Sequence, residues 1–587
     1  MIAAISIFLP AVLLVATREL LNKKHHSKMY IFIEYLISVL IINFVAIGFA
    51  VIFLNYNYDI IDYLTQNCSF AFKYMALTMS IAVVGPALEY FLLSGGKLKV
   101  SYIPIFQDKR KVLNLLLYLY IFFLLLCNVI RAVDNVFWSD EVYSINMAKM
   151  TFSQMITTTA SDVHPPLYYI LLQVFYHIFG NFGWVYHSAT LFTYAILLIV
   201  SITWLKRKFG IGATTLFITF ASFLYNAMEF NLEVRMYSMA ELFVLLSFFM
   251  LYLILTEQKT YWYTLFVLFS LAAAYTHYYA LLSVAYFYIA LLLYTLYQKM
   301  RKELWKVLAA YLVTILGYLP WVFTFLSTWK RTTGDWWMSG VPTWKQCLEF
   351  LFSGRLSNVL WVVLAAVSII YVAKKISLIQ VKRSENNWNI AINGAGIRHI
   401  DGEMAWILSG IFAIIGTIAV GIAASVIFRP VFQVKYLLPV SVVAWLLLAV
   451  VCSKLKFHKI WLTILILIML VTGIPQFIMF YQFEEDLDKS TKMTLETVSG
   501  LGEDPYILYS AYMLDYLDYY YPDIERSSLT SVQDLGKYTN QNILLFWSEM
   551  LDDNTVKSLK AEGIDLVFVR EGYLGTAYSY IYHVVAK

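Results

Sequence analysis

The sequence predicts an α-helical polytopic membrane protein of about fourteen transmembrane helices, with a small extracytoplasmic α/β domain at its C-terminal end. Three observations predict it. Of the 587 residues, 60% are hydrophobic and 14% charged, against about half and about a quarter in a soluble domain. The apolar residues gather in runs of about twenty, the length at which a helix crosses a bilayer core. Lys and Arg cluster in alternate connections between these runs, as the positive-inside rule requires.

Taken in order, the runs lie near 4–20, 30–54, 68–93, 112–132, 186–205, 213–230, 236–256, 261–277, 279–298, 307–328, 358–373, 405–427, 433–452 and 460–481. Basic clusters at 18–28, 97–111, 206–208, 299–306, 374–383 and 454–459 place those connections inside. The loop 133–165, the loop 329–357, the connection RPVFQVKYLLP (429–439) and everything after 481 then face outside, as does the N-terminus. The first run has no basic residue before it and Arg18 near its end, so it reads as a retained anchor and not a cleaved signal peptide. The chain is therefore expected in the plasma membrane, with membrane lipids as its surroundings.

One apolar stretch does not fit the alternation. Counting PPLYYILLQVFYHIFG (165–180) as a span would put the basic residues 206–208 outside. It reads instead as a helix lying at the outer interface or re-entering, with its prolines in the first turn, where a missing N–H costs little. Tyr168, Tyr169, Tyr176 and His177 suit an interfacial belt.

Three segments follow: residues 1–111 with three additional spans, 112–481 as the transmembrane core with its outer loop 133–165, and 482–587 as a soluble unit. The last alternates β-like runs (PYILYS, NILLFW, IDLVFV) with helix-like ones (AYMLDYLDYY, DNTVKSLKAE) and contains no Gly-rich phosphate-binding motif. A net charge of +5 is mild for this length, and its distribution speaks of topology, so no nucleic-acid partner is indicated. Four cysteines (Cys68, Cys127, Cys347, Cys452) show no metal-ligand spacing.

Polar chemistry concentrates at the outer face. WSDE (138–141) with DVHPPLYY (162–169), NLEVRMYS (231–238), THYY (276–279) and RPVFQVKYLLP all fall at that end in this topology. Taken together and in this order, they resemble the GT-C superfamily of glycosyltransferases. The resemblance is nearest to the group of the family-39 protein O-mannosyltransferases and the lipid A aminoarabinose transferases. It rests on an outer loop with Asp-Glu soon after a span, then HPPLYY and HIFG, the later RMYS, a histidine at a span end, and a basic residue, here Lys435, before Tyr-Leu. It covers roughly residues 112–480. It implies transfer of a sugar from a polyprenyl-phosphate donor to a lipid, glycan or protein acceptor on the outer side, usually with inversion.

The residues suit that chemistry. Inverting transfer needs a carboxylate to accept the proton of the acceptor hydroxyl and cations to hold the departing phosphate. Asp140 and Glu141 supply carboxylates, with Asp140 as the base; Arg235, Arg429 and Lys435 supply cations, and His164, Tyr237 and His277 complete the substrate-binding set. Blander readings stand beside these. An Asp-Glu pair facing water is commonly just solvated, His164 could cap the helix that follows, and span-end arginines commonly snorkel to head groups. Glu141 and His164 could ligate a divalent cation, but two ligands are too few for a site. A transporter or flippase of lipid-linked glycans is the competing class. Such proteins usually bind near the midplane between repeated halves, whereas this chain has its polar clusters at one face and no visible repeat.

Overall fold

The computed structural model describes residues 109–132, 136–331, 340–352, 379–383, 388–392, 400–454, 458–500, 505–538 and 542–586. The runs at 4–20, 30–54, 68–93 and 358–373 lie outside the described residues. Among the described residues, seven helical stretches are long and apolar enough to cross a membrane.

Helix α1 (Lys109–Arg131) leads into two short helices, α2 (Ser139–Lys149) and α3 (Phe152–Ser161). The expected loop 133–165 is thus largely helical, and the Asp-Glu pair sits in the first turn of α2, where acidic side chains favour the helix dipole. Next comes α4 (Leu167–Phe179), capped by Pro166. Thirteen residues rise only about 20 Å, well short of a hydrocarbon core of about 30 Å. The stretch 165–180 is accordingly no span. Tyr168 and Tyr169, expected at an interface, are instead fully buried in the protein.

The spans read at 186–205 and 213–230 form one 41-residue helical stretch, Gly183–Phe223. Its first part, α5 (Gly183–Val200), continues through a π turn (Ser201–Leu205) into α6 (Lys206–Phe223), but Gly210 at φ 83° interrupts α6. Glycine reaches that conformation without a Cβ penalty. The chain folds back there, and the Tyr194 hydroxyl meets Ser222 Oγ at 2.7 Å. A separate turn, α7 (Tyr225–Phe230), follows instead of continuous helix to 230.

The core continues with α8 (Tyr237–Glu257), α9 (Thr260–Thr276), α10 (Tyr278–Tyr297), α11 (Arg301–Arg331), α12 (Trp344–Leu351), a hairpin of β1 (Ile379–Arg383) and β2 (Trp388–Ile392), α13 (Gly402–Ile427) and α14 (Leu438–Ser453). α8 and α14 are apolar on all sides and are the two most enclosed candidate spans, 83% and 89% buried. One end of the bundle is laced by polar pairs: Lys208 with Glu257, Lys454 with Glu403, and the Tyr263 hydroxyl donating to Glu303 at 2.9 Å. The segments around 138–141, 164, 235, 277 and 435 meet at the other end.

Helix α15 (His458–Ser499) runs 42 residues without a break. The boundary that composition suggests at 481/482 therefore falls inside it, because a helix crosses from lipid to water by changing its side chains and not its backbone. Beyond it, β3 (Tyr506–Ser510), α16 (Leu514–Tyr520), β4 (Arg526–Leu529), β5 (Ile543–Trp547), α17 (Asp553–Ala561), β6 (Ile564–Leu574) and β7 (Ala577–Ala586) form a sheet of order β4-β3-β5-β7-β6. β3 pairs in parallel with β4 and β5, while β7 runs antiparallel between β5 and β6. The predicted strand runs at 505–510, 542–547 and 564–569 correspond to β3, β5 and the start of β6.

This sheet unit is seated on α2. The Tyr516 hydroxyl accepts the Ser139 N–H at 3.0 Å, the Tyr519 ring meets Phe137 edge-on at 5.3 Å, and Lys149 lies 5.1 Å over Tyr519. Gly575, at φ +64°, abuts the Phe137 carbonyl, which a Cβ would approach to 2.4 Å. α15 braces the same corner, with Thr491 Oγ accepting the Gly575 N–H at 3.0 Å.

Candidate active site

Asp140 is the hub of the converging end. Its Oδ2 lies 3.7 Å from the Arg235 guanidinium and 3.7 Å from Lys435 Nζ, and its side chain is 38% exposed. Arg235, at the turn before α8, is almost wholly buried. Its Nη1 donates at 3.1 Å to the Asp140 carbonyl and at 3.1 Å to Ser144 Oγ, so the cation holds both the helix and its carboxylate. The Tyr169 hydroxyl lies against the Arg235 guanidinium, and neither it nor Arg235 Nε makes a well-formed hydrogen bond within the protein.

Lys435 reaches in from a 3-10 turn, Val434–Leu437, and lies 4.9 Å over the Trp138 ring and 6.0 Å over that of Tyr237. These cation–π contacts hold the ammonium without neutralising it. His277 breaks the chain between α9 and α10, and its Nδ1 accepts the Tyr279 N–H at 3.1 Å. Its proton therefore sits on Nε2 in the neutral ring. The ring lies 5.9 Å from that of His164 and 5.8 Å from that of Tyr237. Burial, with Arg235 and Lys435 nearby, pushes His277 down to about 3 and drives His164 well below its ordinary value. Both imidazoles stay neutral at physiological pH.

Asp140, Glu141, His164, Arg235, Tyr237, His277 and Lys435 thus gather from five separate segments. Arg429 is half-buried just past the end of α13.

Glu141 is bound to the backbone on both sides. Its Oε1 accepts the Val234 N–H at 2.7 Å and its Oε2 accepts the Trp138 N–H at 3.0 Å. Both oxygens are spent tying α2 to the segment before α8, so Glu141 positions its neighbours and Asp140 is left as the carboxylate open to a substrate. Among the described residues no three His, Cys, Asp or Glu side chains group so as to hold a metal ion.

Burial pushes the Glu141 carboxyl up to about 7, against the opposing pull of its two backbone hydrogen bonds. A carboxyl whose pKa is raised on folding binds protons more tightly in the native state, so its contribution is full below its unfolded pKa and is lost as pH rises through about 7. Thermal unfolding of the purified protein should show stability falling between pH 5 and pH 8. Glu141→Gln should flatten that slope and lower stability by about 1–3 kcal/mol at pH 5, because the amide turns a donor toward one backbone N–H. An unchanged slope would remove Glu141 as its source.

Sequence reasoning passed over several residues here. Asp162, buried beside Tyr143 with Arg235 and Asp140 in its field, has its carboxyl raised mainly by burial. Glu233 accepts the Trp138 indole N–H at 2.9 Å, and the Tyr436 ring lies tilted 5.6 Å from that of His277. Asp162 and Glu233 each stand two residues from a chosen one, in DVHPP and NLEVR. A charge that close to a chosen residue, in so apolar a chain, was the available signal.

Two cavities meet at Lys435. One, of about 320 Å³, runs beneath Trp138 to Glu141, His187, Glu229 and Glu233. The other, of about 650 Å³, is walled by Val341, Pro342, Phe350, Phe432 and Val434, and shares Glu229, Phe230 and Lys435 with the first.

No protein-family model matches the chain, and no curated protein matches it in sequence. Solved structures do. ArnT from Cupriavidus metallidurans in the apo state superimposes with a TM-score of 0.50 at 12% identity, covering 80% of this chain and 97% of that one. ArnT from Cupriavidus metallidurans bound to undecaprenyl phosphate superimposes with a TM-score of 0.50 at 13% identity, covering 79% and 97%. At such identity the likeness is one of fold: the chain has the architecture of the ArnT structures over 80% of its length.

Proposed function

We propose that this protein is a membrane glycosyltransferase that moves a sugar from a polyprenyl-phosphate donor to an acceptor hydroxyl on the outer face of the membrane, with inversion at the anomeric carbon. The observation that carries the reading is Asp140, a half-exposed carboxylate held 3.7 Å from each of two cations, one of which, Lys435, lines both cavities. A proton acceptor beside paired phosphate-holding cations is what displacement of a sugar from a lipid phosphate requires. The fold shared with ArnT, which has been solved with undecaprenyl phosphate bound, supports the same donor class.

In this mechanism the acceptor oxygen forms its bond to the anomeric carbon as its proton passes to Asp140. The bond from that carbon to the phosphate oxygen breaks, and the electron pair leaves with the polyprenyl phosphate. Arg235 and Lys435 take up the charge that develops there, Arg235 through its Nε hydrogen and Lys435 as a point charge. His277 offers its Nε2 hydrogen as a neutral donor. The 650 Å³ cavity, with its apolar wall, suits the lipid side of the donor. Arg429 would serve the phosphate only from further along the same connection.

The sheet unit enters through Tyr516. Because its hydroxyl holds the first turn of the helix carrying Asp140, Tyr516→Phe should lower kcat about three- to tenfold, the scale of one lost hydrogen bond, with donor KM unchanged. Wild-type kcat in Tyr516→Phe, or a raised donor KM at unchanged kcat, rejects the reading.

The reaction itself is tested by incubating purified protein in lipid with radiolabelled polyprenyl-phosphate sugars and following label into lipid, glycan and protein fractions. Transfer that depends on Asp140 establishes the reading. Lack of transfer from every polyprenyl-phosphate sugar, with binding of undecaprenyl phosphate also absent, overturns it.

A further inference from the structure

The 320 Å³ cavity holds a buried carboxylate oxygen with no partner. Glu233, 8% exposed, gives Oε1 to the Trp138 indole N–H at 2.9 Å, while its Oε2 lacks any hydrogen bond. An unpaired buried carboxylate oxygen is costly, and one that lines a cavity invites a ligand that completes it. A second acceptor stands near. His187 Nδ1 lies 3.0 Å from the Leu232 carbonyl, which can only accept, so the neutral ring carries its proton there and leaves Nε2 a bare lone pair.

The rest of the wall narrows the chemistry. Arg131, which also lines the cavity, is engaged by Glu484 through two hydrogen bonds at 2.7 and 2.9 Å and by the Met228 carbonyl. Lys435 is drawn to Asp140. Burial holds the Glu233 carboxyl well above its ordinary value and raises that of Glu229, so with Arg131 and Lys435 engaged the wall offers hydrogen-bonding groups with little free charge, which disfavours an anion and favours a neutral, hydroxyl-bearing group. The volume lies at the lower end of small-molecule pockets, about 300–1,000 Å³, too small for a lipid tail. Trp138 and Phe230 supply apolar faces for the C–H side of a ring.

We propose that this cavity receives the neutral, polyhydroxylated sugar ring of the lipid-linked donor, and that Glu233 reads it through a hydrogen bond between its free oxygen and a ring hydroxyl. The inference rests on the transferase reading. It places the ring on one side of Lys435 and the lipid on the other, with the phosphate between, beside Asp140.

The test separates the sugar from the phosphate by binding alone. Undecaprenyl phosphate, undecaprenyl-phosphoryl glucose, mannose and glucosamine are titrated calorimetrically into purified wild-type protein, Glu233→Ala and Glu233→Gln. The two variants are first checked for wild-type unfolding temperature. Wild type should bind at least one neutral-sugar lipid about tenfold more tightly than the bare lipid, the scale of a well-made hydrogen bond. Glu233→Ala should erase that difference with bare-lipid affinity unchanged, and Glu233→Gln, whose one oxygen keeps the Trp138 indole N–H while its NH2 group donates to the ring hydroxyl, should retain most of it.

Equal affinity of wild type for bare and glycosylated lipids, or equal weakening of both in Glu233→Ala, overturns the sugar pocket while leaving the transferase reading intact. A preference for glucosamine alone, lost in Glu233→Gln, overturns the neutral ring in favour of a cationic one. Unchanged lipid affinities with a raised acceptor KM in Glu233→Ala assign the cavity to the acceptor and overturn the donor assignment. No binding of any lipid by wild type, with no transfer, overturns both readings together.

Discussion

Asp140→Asn is expected to insert and fold as the native protein does and to lose about two to four orders of magnitude in transfer rate, the scale of general-base catalysis. Asparagine preserves the side chain's size and gives up only the charge that favours the α2 dipole, about 0.3–1 kcal/mol, so the helix has little to lose. What disappears is the proton acceptor and one negative charge between Arg235 and Lys435. With that charge gone the two cations face the donor phosphate unopposed, so donor KM should stay level or fall while kcat collapses. Uniform binding energy would give the opposite pattern. The measurement is steady-state transfer beside affinity for undecaprenyl phosphate. Near-native turnover in Asp140→Asn would remove the base. If Glu141→Gln alone were inactive with native stability, the role would pass to Glu141, against the geometry that spends both its oxygens on the backbone.

The second large effect belongs to Arg235. Arg235→Ala should lower kcat/KM about 10²- to 10³-fold, the usual loss when one donor to a developing anion is removed, and weaken binding of undecaprenyl phosphate in parallel. Two causes act together. The guanidinium no longer offers its Nε hydrogen, and the Asp140 carbonyl and Ser144 hydroxyl lose the donor that pins them. Arg235→Lys separates the two, since an ammonium restores charge but not the planar fork. It should recover phosphate affinity more than turnover. Native lipid affinity in Arg235→Ala would make the residue a head-group anchor only.

Part of the site was legible before any coordinates. Asp140, Arg235 and Lys435 announced themselves because a charge near a span end is expensive in an apolar chain and needs a reason. Glu141 was legible as a residue but not as a role: nothing in WSDE tells that its carboxylate will cap the Val234 and Trp138 N–H groups 2.7 and 3.0 Å away. Hydrogen-bond partners 93 positions apart in sequence are a property of the fold. Tyr168 and Tyr169 show the same gap from the other direction. A tyrosine-rich amphipathic stretch reads as interfacial, yet here the protein, and not the head-group region, covers both rings.

The sequence by itself determined that the chain is a bundle of membrane helices with a sheet unit at its C-terminal end, because apolar run length and alternation of two residues are local physical signals. It also marked several of the charged residues that meet at one end, among them Asp140, Arg235 and Lys435, but not Asp162 or Glu233. The tertiary structure alone decided how α2 is clamped between Arg235, Glu141 and Tyr516, where α15 hands over to the sheet, and that Glu233 keeps one oxygen for a cavity. Those outcomes depend on side chains from distant segments arriving within about 3 Å of one another. No periodicity along the chain encodes such a distance; packing does.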